Sequence, residues 1–174
     1  MTHPPMVFSR ESRIRIDAQG GVWHEGERVE NPRLAEALAS WITWEPESGR
    51  WILRNSLDWC YVAVDDTPMA VRSARVLDAG AVLAQRSDGV SESLPPSRLR
   101  IDPEGAVFAY VRDGSLLARF SRAAAFAVLD AVETAGDALF LRAGDARFPL
   151  HALAPGAVPP HVPPTATAPV PPTS

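Results

Sequence analysis

The chain has 174 residues, 46% hydrophobic and 22% charged, the balance of a soluble globular protein with room for one ordinary domain or two small ones. Its net charge of −4 leaves no broad basic surface for nucleic acid, and no apolar run approaches the length of a membrane span, so neither partner is expected. The single cysteine, Cys60, excludes an internal disulfide and any multi-cysteine zinc site.

Residues 1–13 read as a flexible N-terminus; "MTHPPMVFSRES" has no basic segment followed by an apolar core, so cytoplasmic residence is the expectation. "RIRID" alternates like a strand, Gly20–Gly21 makes a turn, and "VWHEGERV" is a second strand or hairpin. Asn31 stands as N-cap with Pro32 at the first helical position. Leu34, Leu38, Trp41, Ile42 and Glu45 follow at helical spacing, which predicts a helix over 32–44, ended by Pro46 and Gly49. "RWILRN" and "DWCYVAVD" are strands paired across Ser56–Leu57, and "MAVRSARVL" is a further strand. Cys60 falls in an apolar run with only acids nearby, so it reads as a core thiol rather than a nucleophile. All five tryptophans lie between positions 23 and 59, which points to packing in this part of the chain, with a stacking platform as the alternative.

A second unit begins near "AVLAQRSD", and "LPPSRLRID" is a proline-broken connection. "AVFAYVRD" and "SLLARFS" form a hairpin across Asp113–Gly114. Ser121 caps a helix predicted over 122–135, with Phe126, Leu129 and Val132 on one side and Gly136 as its stop. "ALFLRAGDARFPL" is a final hairpin turning at Gly144–Asp145. Residues 155–174 hold eight prolines and no charged side chain, the composition of a disordered, polyproline-biased tail.

The two units repeat one another. "IDAQGGVW" at 16–23 returns as "IDPEGAVF" at 101–108, an offset of 85; Leu38 with Phe126, Trp41 with Leu129 and Leu53 with Leu141 are 88 apart. Order, element type and offset together imply an internal duplication. The expected fold is α+β and mostly antiparallel, as two similar sheet-plus-helix halves over 14–78 and 79–154.

The basic residues are all arginine, which excludes lysine Schiff-base chemistry but suits the two-pronged grip of phosphate or carboxylate; codon bias gives the same composition. Arg119 and Arg122 flank a helix start at Ser121, a setting that favours an anion; taken singly, each also fits an ion-pair or solvated role. Asp65 and Asp66 are adjacent in a strand and point to opposite faces, so they do not converge on one metal, and Asp66-Thr-Pro makes a strand-ending turn. His3, His24, His151 and His161 lack ligand spacing, and no nucleophile elbow or GxGxxG stands in the sequence, so no metal, cofactor or catalytic residue is assigned.

"GVWHEGERVENPRL", "RWILRNSLDWCYVAVDDTPM" and "LLARFSRAAAFAVL…LFLRAGDARFPL" resemble the bacterial domain-of-unknown-function family 1285, over about residues 14–150. The family's V-E-D-x-P-F signature falls on Val64–Met69, with Asp65 in place of glutamate and Met69 in place of the aromatic; A-R-F-S-R is intact at Ala118–Arg122, and W-x-x-x-G at Trp23 and Gly26. The resemblance implies a duplicated two-part protein whose C-terminal half is superficially pleckstrin-homology-like. It also implies a nucleotide-like ligand between the halves and a part in signalling. With the residue reading, the expectation is a ligand-binding or adaptor protein, its site at Arg119, Ser121 and Arg122 with Trp59, Asp65 and Asp66 beside them. The alternatives are an enzyme acting on a phosphorylated small molecule and a purely structural module contacting a protein partner; the lack of a base–nucleophile pair favours a non-catalytic role.

Overall fold

The computed structural model describes residues 9–153. Strand β1 spans Glu11–Ile16, β2 Val22–His24, β3 Glu27–Arg28, β4 Ile42–Glu45, β5 Arg50–Arg54 and β6 Trp59–Val64, with helix α1 at Pro32–Ser40. They form a six-stranded sheet ordered β3-β2-β1-β6-β5-β4, parallel only between β1 and β6. β1 begins at Glu11, inside the stretch read as a flexible N-terminus. The proline-rich stretch at 155–174 lies outside the described residues.

A polar side chain shapes the first turn. Asp17 Oδ1 accepts the N–H groups of Gln19 (2.9 Å) and Gly21 (2.7 Å), and Oδ2 accepts Trp23 Nε1 (2.7 Å). Burial alone would raise the Asp17 pKa, but these hydrogen bonds and the nearby Arg28 hold the carboxyl below its usual value. Gly20 closes the turn at φ +76, where a Cβ would lie 2.7 Å from Ala70 Cβ.

Asn31 caps α1 by accepting from Arg33 and Leu34 N–H, with Pro32 at the first helical position. The helix ends at Ser40, short of the predicted 44. Ile42, Thr43 and Trp44 are β-branched or aromatic, and they pair with Leu53, Ile52 and Trp51 as a strand.

The described residues from Met69 onward build a nine-stranded sheet. Its strands are β7 (Met69–Val76), β8 (Val82–Arg86), β9 (Ser91–Leu94), β10 (Leu99–Ile101), β11 (Val107–Val111), β12 (Leu116–Phe120), β13 (Val132–Ala135), β14 (Ala138–Ala143) and β15 (Ala146–Ala152). Helix α2 spans Arg122–Leu129, and the order is β13-β14-β15-β10-β11-β12-β7-β8-β9. β7 pairs in parallel with β12, so the two sheets part at residues 65–68 rather than at 78–79. The proline-broken stretch holds a single 3-10 turn, Pro96–Arg98, and then β10.

The order β12-β11-β10-β15-β14-β13 repeats β3-β2-β1-β6-β5-β4. Ile16 faces Val22 as Ile101 faces Val107, and Ile16 lies beside Val64 as Ile101 lies beside Ala152. The helix caps, Asn31 and Ser121, are 90 positions apart. The following hairpin is shorter in the second half, Ala135 facing Ala138 where Glu45 faces Arg50, which returns the offset to 88. Leu38 therefore corresponds to Val128, not Phe126: each gives its carbonyl to the N–H three residues on, in Trp41 and Ala131. Val128 is buried, whereas Phe126 is 70% exposed, so the apolar face predicted through Phe126 is corrected. α2 also stops short of 135, because Val132–Ala135 pairs with β14.

One continuous core runs through both sheets, from Ile16, Ile42 and Val62 to Met69, Val107 and Leu141. A polar clamp joins the halves. Arg112 Nη1 donates to Ile42 O (2.7 Å), and its Nη2 to Ser40 O (2.6 Å) and Ala39 O (3.1 Å), at the C-terminal end of α1. Glu92 accepts the Arg112 N–H at 2.9 Å and also binds Arg86 and Arg98, while Asp88 pairs with Arg86 at 2.8 Å.

Removing the clamp with Arg112→Ala is expected to cost about 1–3 kcal/mol in urea unfolding, since the carbonyls of Ala39, Ser40 and Ile42 lose their charged donor while Asp88 and Glu92 keep Arg86; a loss below about 0.5 kcal/mol would place Arg112 with ordinary surface positions. Asp17 supplies a pH-dependent contribution. Its folded pKa is depressed, so that contribution is full above the unfolded value near 3.8 and is lost as pH falls through the folded one. Asp17→Asn should therefore flatten the fall in melting temperature between pH 5 and pH 2 relative to wild type; parallel curves would contradict it.

Candidate functional site

Between the sheets, adjacent aspartates turn to opposite halves. Asp65 pairs with Arg15 of β1, and its N–H donates to Ile16 O (3.0 Å). Asp66 Oδ2 accepts Arg119 Nη1 at 2.9 Å. Thr67 is buried behind them, its hydroxyl donating to Met69 O (2.8 Å) and accepting the Arg119 N–H (3.1 Å).

Each half sets an aromatic ring between two arginines across neighbouring strands. Arg15 faces Trp23, which faces Arg28; Arg100 faces Phe108, which faces Arg119. Arg15 lies over the Trp23 ring at 5.1 Å, and Arg119 over Phe108 at 5.1 Å. The linker thus gives one carboxylate to each set.

Ser121 starts α2. Its Oγ accepts Ala124 N–H (3.2 Å) and donates to Arg72 O (2.8 Å), while its own N–H donates to Val71 O (2.8 Å). The first-turn N–H groups of Arg122 and Ala123 have no partner among the described residues. Beside them lies a hollow of about 470 Å³. Arg119, Arg122, Phe126 and Leu129 line one wall, and the β10–β11 turn, with Asp102, Glu104 and Gly105, lines the other. Arg122 is exposed and makes no ion pair among the described residues. Asp102 is partly occupied, accepting Ala106 N–H at 2.7 Å.

The structure therefore brings Arg119, Ser121, Arg122 and Asp66 together and places Asp65 one residue away, turned to the first half. It does not bring Trp59 to them. Trp59 begins β6, five residues and roughly 16 Å of extended strand before Val64. It lines a separate apolar hollow of about 230 Å³ with Ile14, Leu38, Trp41 and Cys60, under the Arg10 guanidinium at 4.8 Å. The hollow at Arg119 and Arg122 is lined only by residues 102–129, so it lies within the second half and not in a groove between the halves.

Phe108, expected as the counterpart of Trp23, stacks under Arg119, and Phe126, expected on the buried side of the helix, is exposed and lines the hollow. Sequence reasoning missed a third copy of the hairpin phrase, "VLDAGAVL", where Val76 faces Val82 and Gly80 stands at φ +85. The arginine–aromatic sets had left a signal: Arg15 and Trp23 are eight apart, as are Arg100 and Phe108.

Comparison with solved structures settles the fold. A DUF1285 family protein from Silicibacter pomeroyi DSS-3 superposes with a TM-score of 0.65 at 22% identity, covering 81% of this chain and 80% of that one. A second, from Shewanella baltica OS155, gives 0.57 at 17% identity, over 70% of this chain and 94% of that one. The chain has the DUF1285 fold. No family model matches the sequence, and no curated protein matches it. Among the described residues the architecture is mixed α+β, with two sheets and two α-helices. Among the described residues no helix is long and apolar enough to cross a membrane, and no group of three or more His, Cys, Asp or Glu is placed to hold a metal ion.

The Asp66–Arg119 pair is half-exposed, which limits its strength. A double-mutant cycle of Asp66→Ala and Arg119→Ala should give a coupling of about 0.5–1 kcal/mol in urea unfolding. A value above about 3 kcal/mol would mean that the pair is a buried structural bridge, with Arg119 closed to any ligand.

Proposed function

We propose that the chain is a member of the DUF1285 family and acts as a cytoplasmic ligand-binding or adaptor protein, in a signalling role, that takes a nucleotide-like, phosphate-bearing small molecule. The family resemblance extends the reading to descent by internal duplication, with a pleckstrin-homology-like second half. One observation carries the binding site: the exposed Arg122, which makes no ion pair among the described residues, shares a hollow with Arg119 at the start of α2, where two first-turn N–H groups have no partner among those residues.

Charge and shape divide the hollow into three parts. The guanidiniums and free N–H groups suit a phosphate through charge-assisted bonds. Phe126 and Leu129 offer an apolar wall for a base. Asp102 and Glu104 repel a bare anion but accept hydrogen bonds from ribose hydroxyls, which favours a nucleotide over inorganic phosphate. Asp66 holds Arg119 by one nitrogen, leaving donors of its fork for a ligand.

Thermal-shift titration with AMP and ATP tests the reading. Wild type should be stabilised, and Arg122→Ala should weaken binding by about 1–3 kcal/mol, roughly ten- to hundredfold, without lowering the melting temperature of the free protein. Failure of both nucleotides to stabilise wild type, or equal binding by the variant, would overturn it. Release of phosphate from bound ATP would move the protein to an enzyme class.

A further inference from the structure

We propose that the first half carries a second anion-binding hollow of the same design, formed by Gly20, Gly21, Arg28, Pro32, Ala35 and Arg72, and that it takes a phosphate-bearing ligand. The proposal rests on the ligand reading of the hollow beside α2 and extends it to a site in the other half.

The two hollows are built from corresponding parts. Gly20, Gly21 and Val22 line the first, as Gly105, Ala106 and Val107 line the second, at the constant offset of 85. Pro32 and Ala35 of α1 take the places of Arg122 and Ala125 of α2, at the helix offset of 90. Arg28 stands across from Trp23 as Arg119 stands across from Phe108, and the next residues, Val29 and Phe120, also correspond. The strand order repeats the hollow; what the side chains add is an arginine at the same register, Arg28 for Arg119, and Arg72 from β7 where Pro32 has replaced Arg122.

Two guanidiniums serve an anion here as in the second hollow, with Asp17 behind Gly21 in the place of Asp102. Arg28 is exposed and makes no ion pair among the described residues. Arg72 reaches in from β7, so this hollow of about 380 Å³ draws on both sheets. Its guanidinium meets Glu36 only at 3.9 Å, and Glu30 is the single carboxylate in the lining. The backbone contributes little: Asn31 already accepts the Arg33 and Leu34 N–H groups, Pro32 has none, and Gly21 N–H is held by Asp17. Recognition falls to the two guanidiniums, which makes binding here the more sensitive to salt. Arg72 also links the sites, because its carbonyl accepts the Ser121 hydroxyl at the start of α2.

The test is an AMP titration of the full chain followed by amide ¹⁵N–¹H NMR, with Gly20 and Gly21 reporting on the first hollow and Gly105 and Ala106 on the second. Both sets should shift and saturate. Arg28→Ala should weaken the response at Gly20 and Gly21 at least fivefold and leave Gly105 and Ala106 unchanged, and Arg122→Ala should do the reverse. Shifts at Gly105 and Ala106 alone, or a first-hollow response untouched by Arg28→Ala, would overturn this inference while leaving the reading of the second hollow intact. Shifts at Gly20 and Gly21 alone, lost in Arg28→Ala, would support it and overturn that reading. No shift at either set would overturn both.

Discussion

Arg112 ties the molecule together. Its backbone and that of Asp113 are both left-handed, at φ 50 and 55, a conformation costing about 1–2 kcal/mol for each residue with a side chain. Glu92 offsets this by accepting both N–H groups, at 2.9 and 3.3 Å. The turn thereby aims a guanidinium across to three carbonyls at the end of α1, where the helix dipole favours a cation. Burial disfavours the charge on Arg112, and the nearby Asp88 and Glu92 counter it. Close packing is found beside the clamp too: Gly20 lies against Ala70 with no room for a Cβ, and Gly89, at φ +80, lies beside the Glu36 carboxylate of α1.

The clamp and the continuous core join two halves of like strand order. Each half has the same strand order around a parallel central pair, yet the second carries the added meander β7–β8–β9. That meander holds Arg86, Asp88 and Glu92, the groups that anchor Arg112. It also supplies Arg72 to the hollow of the first half and accepts Ser121 at the start of α2. Asp65 and Asp66 satisfy one arginine in each half, leaving Arg28 and Arg122 free of ion pairs among the described residues.

Local chemistry was legible in the sequence where a single residue decides the backbone. Asn31 with Pro32, Ser121, and the glycine turns place the starts of both helices and the first hairpins, because caps and positive φ act through neighbours. The helix ends were not legible, since Trp41–Trp44 and Leu129–Val132 continue a helical apolar spacing; pairing with β5 and β14 overrides it. The same ambiguity misaligned the helices by two residues and led to the expectation of a buried Phe126. β7 was read as a strand, but its sheet depends on long-range parallel pairing with β12, which no local pattern encodes. At the site, Arg119, Ser121 and Arg122 were legible as a cluster because they are contiguous. The placement of Trp59 was not, since the length of β6 carries it to another hollow. Arg28 and Arg72 were missed because strand pairing and the junction bring them together from 44 positions apart.

Joined by the Arg112 clamp, the two halves are expected to open as a single cooperative unit, which native-state hydrogen exchange of the wild-type chain measures. The slowest amides of the first half, at Ile52, Leu53 and Val62, should exchange with the same opening free energy as those of the second half, at Ala109, Leu117 and Leu141. A first half that opens on its own, with a free energy several kcal/mol below that of the second, would show that the clamp does not couple them.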